Sequence, residues 1–260
     1  MSTLECNRAP RQLESYDSTW IAMNWINPHV VPRMRLFCLP HAGGTHSLFE
    51  RWPSFFHPEI EICAIKLPGR STRFNEPMIT NMHQLSESIA AVIKRLNDLP
   101  FAIYGECAGA LVGLATARAL RKKFELAPRH LFAASAGTPR RPASGLHQLP
   151  DAIFRREVLA RGFLPPEISA EDEAIDFFLP QIRADFEMLE TLDAAEHCPL
   201  SCPITTLSRT GDGFENSASL KDWRTETSGV WTHEVFDSSF RLAEDPGDLV
   251  KGFLCRTLTT

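Results

Sequence analysis

A chain of 260 residues, 43% apolar and 23% charged, has the make-up of an ordinary globular protein and the length for one large α/β domain with an insertion. Its net charge of −5, from 27 basic and 32 acidic side chains, argues against nucleic acid or an anionic membrane as the main partner. No apolar run approaches the ~20 residues a membrane span needs, the first 20 residues lack the apolar core of a signal peptide, and the seven scattered cysteines frame no disulfide set. The expected setting is reducing and cytoplasmic.

Residues 1–32 show weak periodicity and read as an arm packed on the body. An apolar strand at 34–39 runs into the small-residue loop Pro40-His41-Ala42-Gly43-Gly44-Thr45, and a helix is expected over 45–56. A second strand at 61–67 ends at Pro68-Gly69-Arg70. Leu85, Ile89, Val92, Ile93 and Leu96 recur at helical spacing over 82–96. Cys38 and Cys63, inside strand-like runs, read as buried thiols.

Residues 101–104 are a short apolar strand feeding Gly105-Glu106-Cys107-Ala108-Gly109, and an Ala- and Leu-rich helix follows over 108–124. This is the grammar of a nucleophile elbow: strand, sharp turn written G-x-nucleophile-x-G, helix. Small residues let the turn tighten, and the helix N-terminus aims its N–H groups at the exposed side chain. The side chain so exposed is Cys107.

Another strand is expected at 130–135. Strand signals then vanish from 145 to 196, where short helices punctuated by Pro165-Pro166 and Pro180 are expected to form a lid. Strands return at 203–208 and 231–236, and a helix over 246–258 closes the chain. Alternating strands and helices predict a mostly parallel central sheet covered on both faces. The organisation expected is a core in two parts, 1–144 and 197–260, with the helical lid 145–196 between them.

The chain resembles the type II thioesterases, stand-alone enzymes of the α/β-hydrolase fold that serve peptide and polyketide synthases. The resemblance rests on Leu39-Pro40-His41-Ala42-Gly43-Gly44, Leu67-Pro68-Gly69-Arg70, the elbow, Leu179-Pro180-Gln181-Ile182-Arg183-Ala184-Asp185-Phe186 and Cys202-Pro203-Ile204, in family order. It implies acyl groups held as thioesters on the phosphopantetheine arm of a carrier protein or thiolation domain, no cofactor of the enzyme's own, and a monomer. Two departures stand out. The family elbow has Ser where this chain has Cys107; in having Cys there the chain resembles some carrier-to-carrier aminoacyltransferases of the superfamily. The family's C-terminal catalytic His aligns with Ser239. The family's Asp aligns with Asp212.

The site expected on this basis is Cys107 as nucleophile, with the backbone N–H groups of Ala42 and Ala108 as oxyanion hole and Asp212 as the acid of a residual triad. A substitute base is sought among His46, His233 and His41, of which His41 reads rather as an organiser of its loop. His197, Cys198 and Cys202 lack a fourth ligand and a recognised spacing, so no metal is expected. Loss of the His suits a Cys nucleophile better than a Ser, since a few per cent of a free thiol is already thiolate at pH 7. The expected outcome is acyl transfer to a second thiol. The alternatives are editing hydrolysis, condensation or cyclisation on an amine or hydroxyl, and a non-catalytic carrier-binding protein.

Overall fold

A computed structural model describes residues 19–23, 30–137, 139, 144–192, 198–211, 220–237 and 247–259. Asp212, Ser239, His197 and most of the N-terminal arm lie outside the described residues. Among the described residues seven strands form one sheet: β1 (Ile21–Met23), β2 (Met34–Leu39), β3 (Ile60–Ile65), β4 (Phe101–Glu106), β5 (Leu131–Ala134), β6 (Ile204–Arg209) and β7 (Trp231–Phe236). Their order is β1-β3-β2-β4-β5-β6-β7. All neighbours pair in parallel except β1, which runs antiparallel to β3 with Ile21 opposite Ile65.

Strands β3 and β4 are buried at every position, as strands are when helices cover both faces of a parallel sheet. On one face, Phe101 and Ile103 of β4 pack with α1 (Met82–Arg95) and α2 (Ala108–Phe124). Ala102 and Tyr104 point the other way, into a core shared with Trp52 and with Val250 and Leu254 of α7 (Gly247–Thr259). Asn81 caps α1 by accepting the N–H of Gln84 at 2.9 Å. A short α6 (Leu220–Thr225), not anticipated from sequence, buries Trp223, whose Nε1–H donates to the carbonyl of Gly137 at 2.9 Å.

Besides α6, the structure departs from the sequence expectation in three places. The helix foreseen over 45–56 is two 3-10 turns, His46–Phe49 and Trp52–Ser54. Thr45 accepts the N–H of Ser47 and Pro53 opens the second turn, so both residues act at helix starts rather than inside one helix. The arm contributes β1, too short for alternation to mark. Between β5 and β6 lie α3 (Asp151–Ala160), α4 (Pro166–Ser169) and α5 (Asp172–Glu190). Helix α5 runs 19 residues straight through Pro180 instead of breaking there. The proline forfeits one backbone hydrogen bond, but Ile175 before it and Ile182, Asp185 and Met188 after it are buried and hold the helix together. Leu146, Phe154, Val158, Leu164, Ile175 and Ile182 make a separate small core for this layer.

Candidate active site

Cys107 stands between the last residue of β4 and the first turn of α2, with φ 52° and ψ −111°. A positive φ on a non-glycine residue is a strained conformation held by its surroundings. The surroundings here are backbone. The Cys107 N–H donates to the carbonyl of Ala134 at 2.8 Å, and the Cys107 carbonyl accepts the N–H of Ala110 at 3.1 Å. A Cβ on Gly105 would stand 2.2 Å from the carbonyl oxygen of Gly109, and one on Gly109 would stand 2.4 Å from that of Leu39. Both glycines of the motif are thus fixed by close backbone approach, as the sequence pattern implied. Cys107 itself is half-buried.

The loop after β2 lies beside this elbow. It is a tight turn in which the Gly44 N–H donates to the carbonyl of His41 at 2.9 Å and Gly43 takes φ +76°, the pattern of a type II turn with glycine third. The Gly43 N–H donates to Asp185 Oδ2 at 2.7 Å. That leaves Ala42, whose N–H has no hydrogen-bond partner among the described residues. The Ala108 N–H, first in its helix, has none either. Both residues are 4% exposed. A shielded N–H left unpaired costs about 1–3 kcal/mol, and such groups point to a functional use.

Asp185 belongs to α5. Its carboxylate is also gripped by Arg70, through Nη1 to Oδ2 at 2.8 Å and Nη2 to Oδ1 at 2.7 Å. Neither residue carried a role in the sequence reading, although both stand in the segments quoted there. The signal was present as two polar residues inside apolar motifs; their 115-residue separation hid the pairing.

The three candidate imidazoles belong to different segments. His233, on the edge strand β7, pairs across to Thr206 and shares a hydrogen bond with its hydroxyl through Nδ1 at 3.0 Å. Three inter-strand steps separate it from β4, about 14 Å, more than a His side chain spans to reach a sulfur. His46 has Lys66 and Glu50 as charged neighbours, and burial, then Lys66, push its pKa down. His41 Nδ1 lies 2.9 Å from the carbonyl of Ala42. Since a carbonyl only accepts, Nδ1 carries the proton and ties the ring to its own loop. Glu106, 1% exposed, shares a strand face with Tyr104 and accepts its hydroxyl hydrogen at 3.3 Å. Burial, then the Glu106 charge, raise the Tyr104 pKa and keep that donor protonated.

Among the described residues there is no cluster of three metal-ligating side chains and no helix long and apolar enough to cross a membrane. A cavity of about 170 Å³ opens between α1 and α2, lined by Met82, Ala115, Arg118 and Thr191. Ala115 lies eight residues along α2 from Cys107, about 12 Å. Arg118 is already paired with Glu226, and Lys123 with Glu87.

A parallel sheet with helices on both faces, a strained elbow at the end of β4 and a helical layer inserted after β5 define the chain as a protein of the α/β-hydrolase fold. The chain belongs to the thioesterase family: residues 34–250 match the model of the thioesterase domain. It is 34% identical over 235 residues to the gramicidin S biosynthesis protein GrsT of Aneurinibacillus migulanus, covering 89% of this chain and 91% of that one. It is 31% identical over 210 residues to the thioesterase PikA5 of Streptomyces venezuelae, covering 79% and 75%. The solved structure of RedJ, a thioesterase of the prodiginine pathway of Streptomyces coelicolor, superposes with a TM-score of 0.78 at 28% identity, covering 87% of this chain and 91% of that one.

Proposed function

We propose that this protein is a type II thioesterase-family enzyme of peptide or polyketide synthesis that takes an acyl or aminoacyl group from a carrier protein onto Cys107 and hands it to a second thiol. The observation that carries the reading is the half-buried, strained Cys107 flanked by the N–H groups of Ala42 and Ala108, unpaired among the described residues. The relatives' names, which speak of gramicidin S biosynthesis and of thioesterases, support the pathway class.

The Cys107 thiolate attacks the thioester carbonyl, and the C=O electron pair moves to oxygen. The N–H groups of Ala42 and Ala108 receive that oxyanion; one such donor is typically worth 10²–10³ in rate. The tetrahedral intermediate collapses, breaks the carbon–sulfur bond to the phosphopantetheine arm and expels its thiolate, leaving S-acyl-Cys107. One thioester replaces another of similar energy, so the step is reversible. A second phosphopantetheine thiolate returns the chemistry in mirror order and needs no base. Water needs a base to lose its proton, and such help is worth about 10²–10⁴-fold. With Ser239 at the family's His position, solvent is the poorer acceptor, and Asp212 is left without the imidazole it orients in the family. The enzyme needs no cofactor of its own, because the carrier brings the phosphopantetheine. The helices within 145–196 act as the lid, and the setting is cytoplasmic.

The test uses a carrier loaded with a labelled acyl group and a second, empty carrier. Intact mass should show the label on the second carrier at a rate that depends on this protein. Rapid release as free acid, with no transfer, contradicts this reading and restores the editing hydrolysis that the relatives' names favour.

A further inference from the structure

The ion pair of Arg70 and Asp185 joins three separate parts of the chain: the loop after β3, the turn 41–44 and helix α5. The two residues are 4% and 5% exposed. Burying both charges is unfavourable unless their remaining donors and acceptors are satisfied; here the Asp185 carboxylate accepts three N–H bonds, two from Arg70 and one from Gly43, while Arg70 Nε has no partner among the described residues. Arg70 Nη1 also reaches the carbonyl of Gly44 at 3.3 Å. Burial pulls the Arg70 pKa down, but the adjoining carboxylate more than offsets it, so the guanidinium stays charged. Two turns back along α5, Phe177 stacks on Phe74 from the same loop as Arg70, with centroids 5.4 Å apart. The Arg70 loop therefore holds α5 at two points.

The consequence falls on the turn. The Gly44 N–H is held by His41 and the Gly43 N–H by Asp185, so the peptide following Ala42 has a single orientation. Without that acceptor, the peptide keeps only the bond from His41 Nδ1 to its Ala42 carbonyl, and Gly43 has the backbone freedom to let it rotate and Ala42 move with it. We propose that Arg70 and Asp185 are positioning residues: through Gly43 they fix the turn 41–44 so that the Ala42 N–H points at the oxygen of the acyl group reacting at Cys107. This rests on the acyl-enzyme reading above, which names the oxygen to be bound. It also makes α5 the fixed part of the lid, so substrate reaches Cys107 without α5 leaving the turn.

Removing one partner alone strands a buried charge, so the informative variants remove both. Arg70→Met/Asp185→Leu keeps volume and loses the acceptor for Gly43; Arg70→Met/Asp185→Asn keeps an acceptor without the ion pair. The Leu form should alkylate at Cys107 with iodoacetamide at the wild-type rate, since that reaction has no oxyanion. Its acylation by a saturating loaded carrier should fall about 10²-fold, the scale of a 1 Å misplacement at a reacting centre. The half-saturating carrier concentration should move less than about threefold, as for a group felt in the transition state. The Asn form should return to within about tenfold of wild type. Wild-type acylation in the Leu form, or equal losses of acylation in both forms, overturns the proposal. If the wild type itself takes up no acyl group, the Cys107 reading has failed and the clamp is judged by hydrogen exchange. Amides 43 and 44 should exchange at least about tenfold faster in the Leu form, and unchanged exchange overturns it.

Discussion

Leu39 and Gly109 meet backbone to backbone, so close that a Cβ on Gly109 would lie 2.4 Å from the Leu39 carbonyl oxygen. Strand β2 and the first turn of α2 are locked together by this contact, which brings the turn 41–44 alongside Cys107. Neither side can yield without shifting main chain. Gly109→Ala should therefore lower stability by at least about 2 kcal/mol, at the upper end of overpacking costs, and slow acylation of Cys107. Urea midpoints of the two proteins check this; equal midpoints contradict it.

Gly43 is constrained twice, by φ +76° and by Ile182, whose Cγ1 would lie 2.6 Å from an added Cβ. In Gly43→Ala the left-handed backbone costs about 1–2 kcal/mol and the clash adds to it. Gly43→Ala/Ile182→Ala removes the clash and keeps the backbone cost. The double variant should be more stable than the two single losses summed, by about 1 kcal/mol or more, measured as a double-mutant cycle in urea.

His130 gives a pH dependence of stability. Burial against Phe132 lowers its pKa from 6.5 to about 4, and its Nε2 shares a hydrogen bond with the Thr205 hydroxyl at 2.8 Å. Between those values the unfolded chain binds a proton at His130 and the folded chain does not. Stability from this residue is complete above pH 6.5 and is lost as pH falls toward 4. His130→Gln should flatten that part of the profile in urea unfolding at pH 7, 5.5 and 4.5. Parallel profiles for the two proteins contradict the assignment.

The parts legible in the sequence are those where one local rule decides. The apolar run of β4, the small residues of the elbow and the Ala- and Leu-rich α2 agree with one another, and the structure contains all three. The turn 41–44 was legible as a loop offering the Ala42 amide, but not the anchoring of its Gly43 amide, because the Asp185 that occupies it is 142 residues away. Pro180 reads as a break, yet α5 continues, since packing outweighs one missing hydrogen bond. β1 consists of three residues and exists through its pairing with β3. Arg70 and Asp185 could be seen in the sequence as residues but not as a pair; burial distinguishes them from surface charges.

Cys107→Ser tests for a base near the elbow. A hydroxyl has no useful anion at neutral pH, and general-base help is worth about 10²–10⁴-fold. Without a nearby base the Ser variant should acylate at least about 10²-fold more slowly than wild type, by single-turnover mass measurement. A Ser variant as fast as wild type means that an imidazole serves the site, and hydrolysis then becomes the favoured outcome.

The most direct measurement is the intact mass of the protein after brief mixing with a loaded carrier, followed by peptide mapping. The wild type should gain the mass of one acyl group on the peptide carrying Cys107, and not on those carrying the buried Cys38 or Cys63, whose thiol pKa values burial raises. Cys107→Ala should gain none and should leave the carrier loaded. Full turnover by Cys107→Ala, or an acyl group mapped to another residue, contradicts the account.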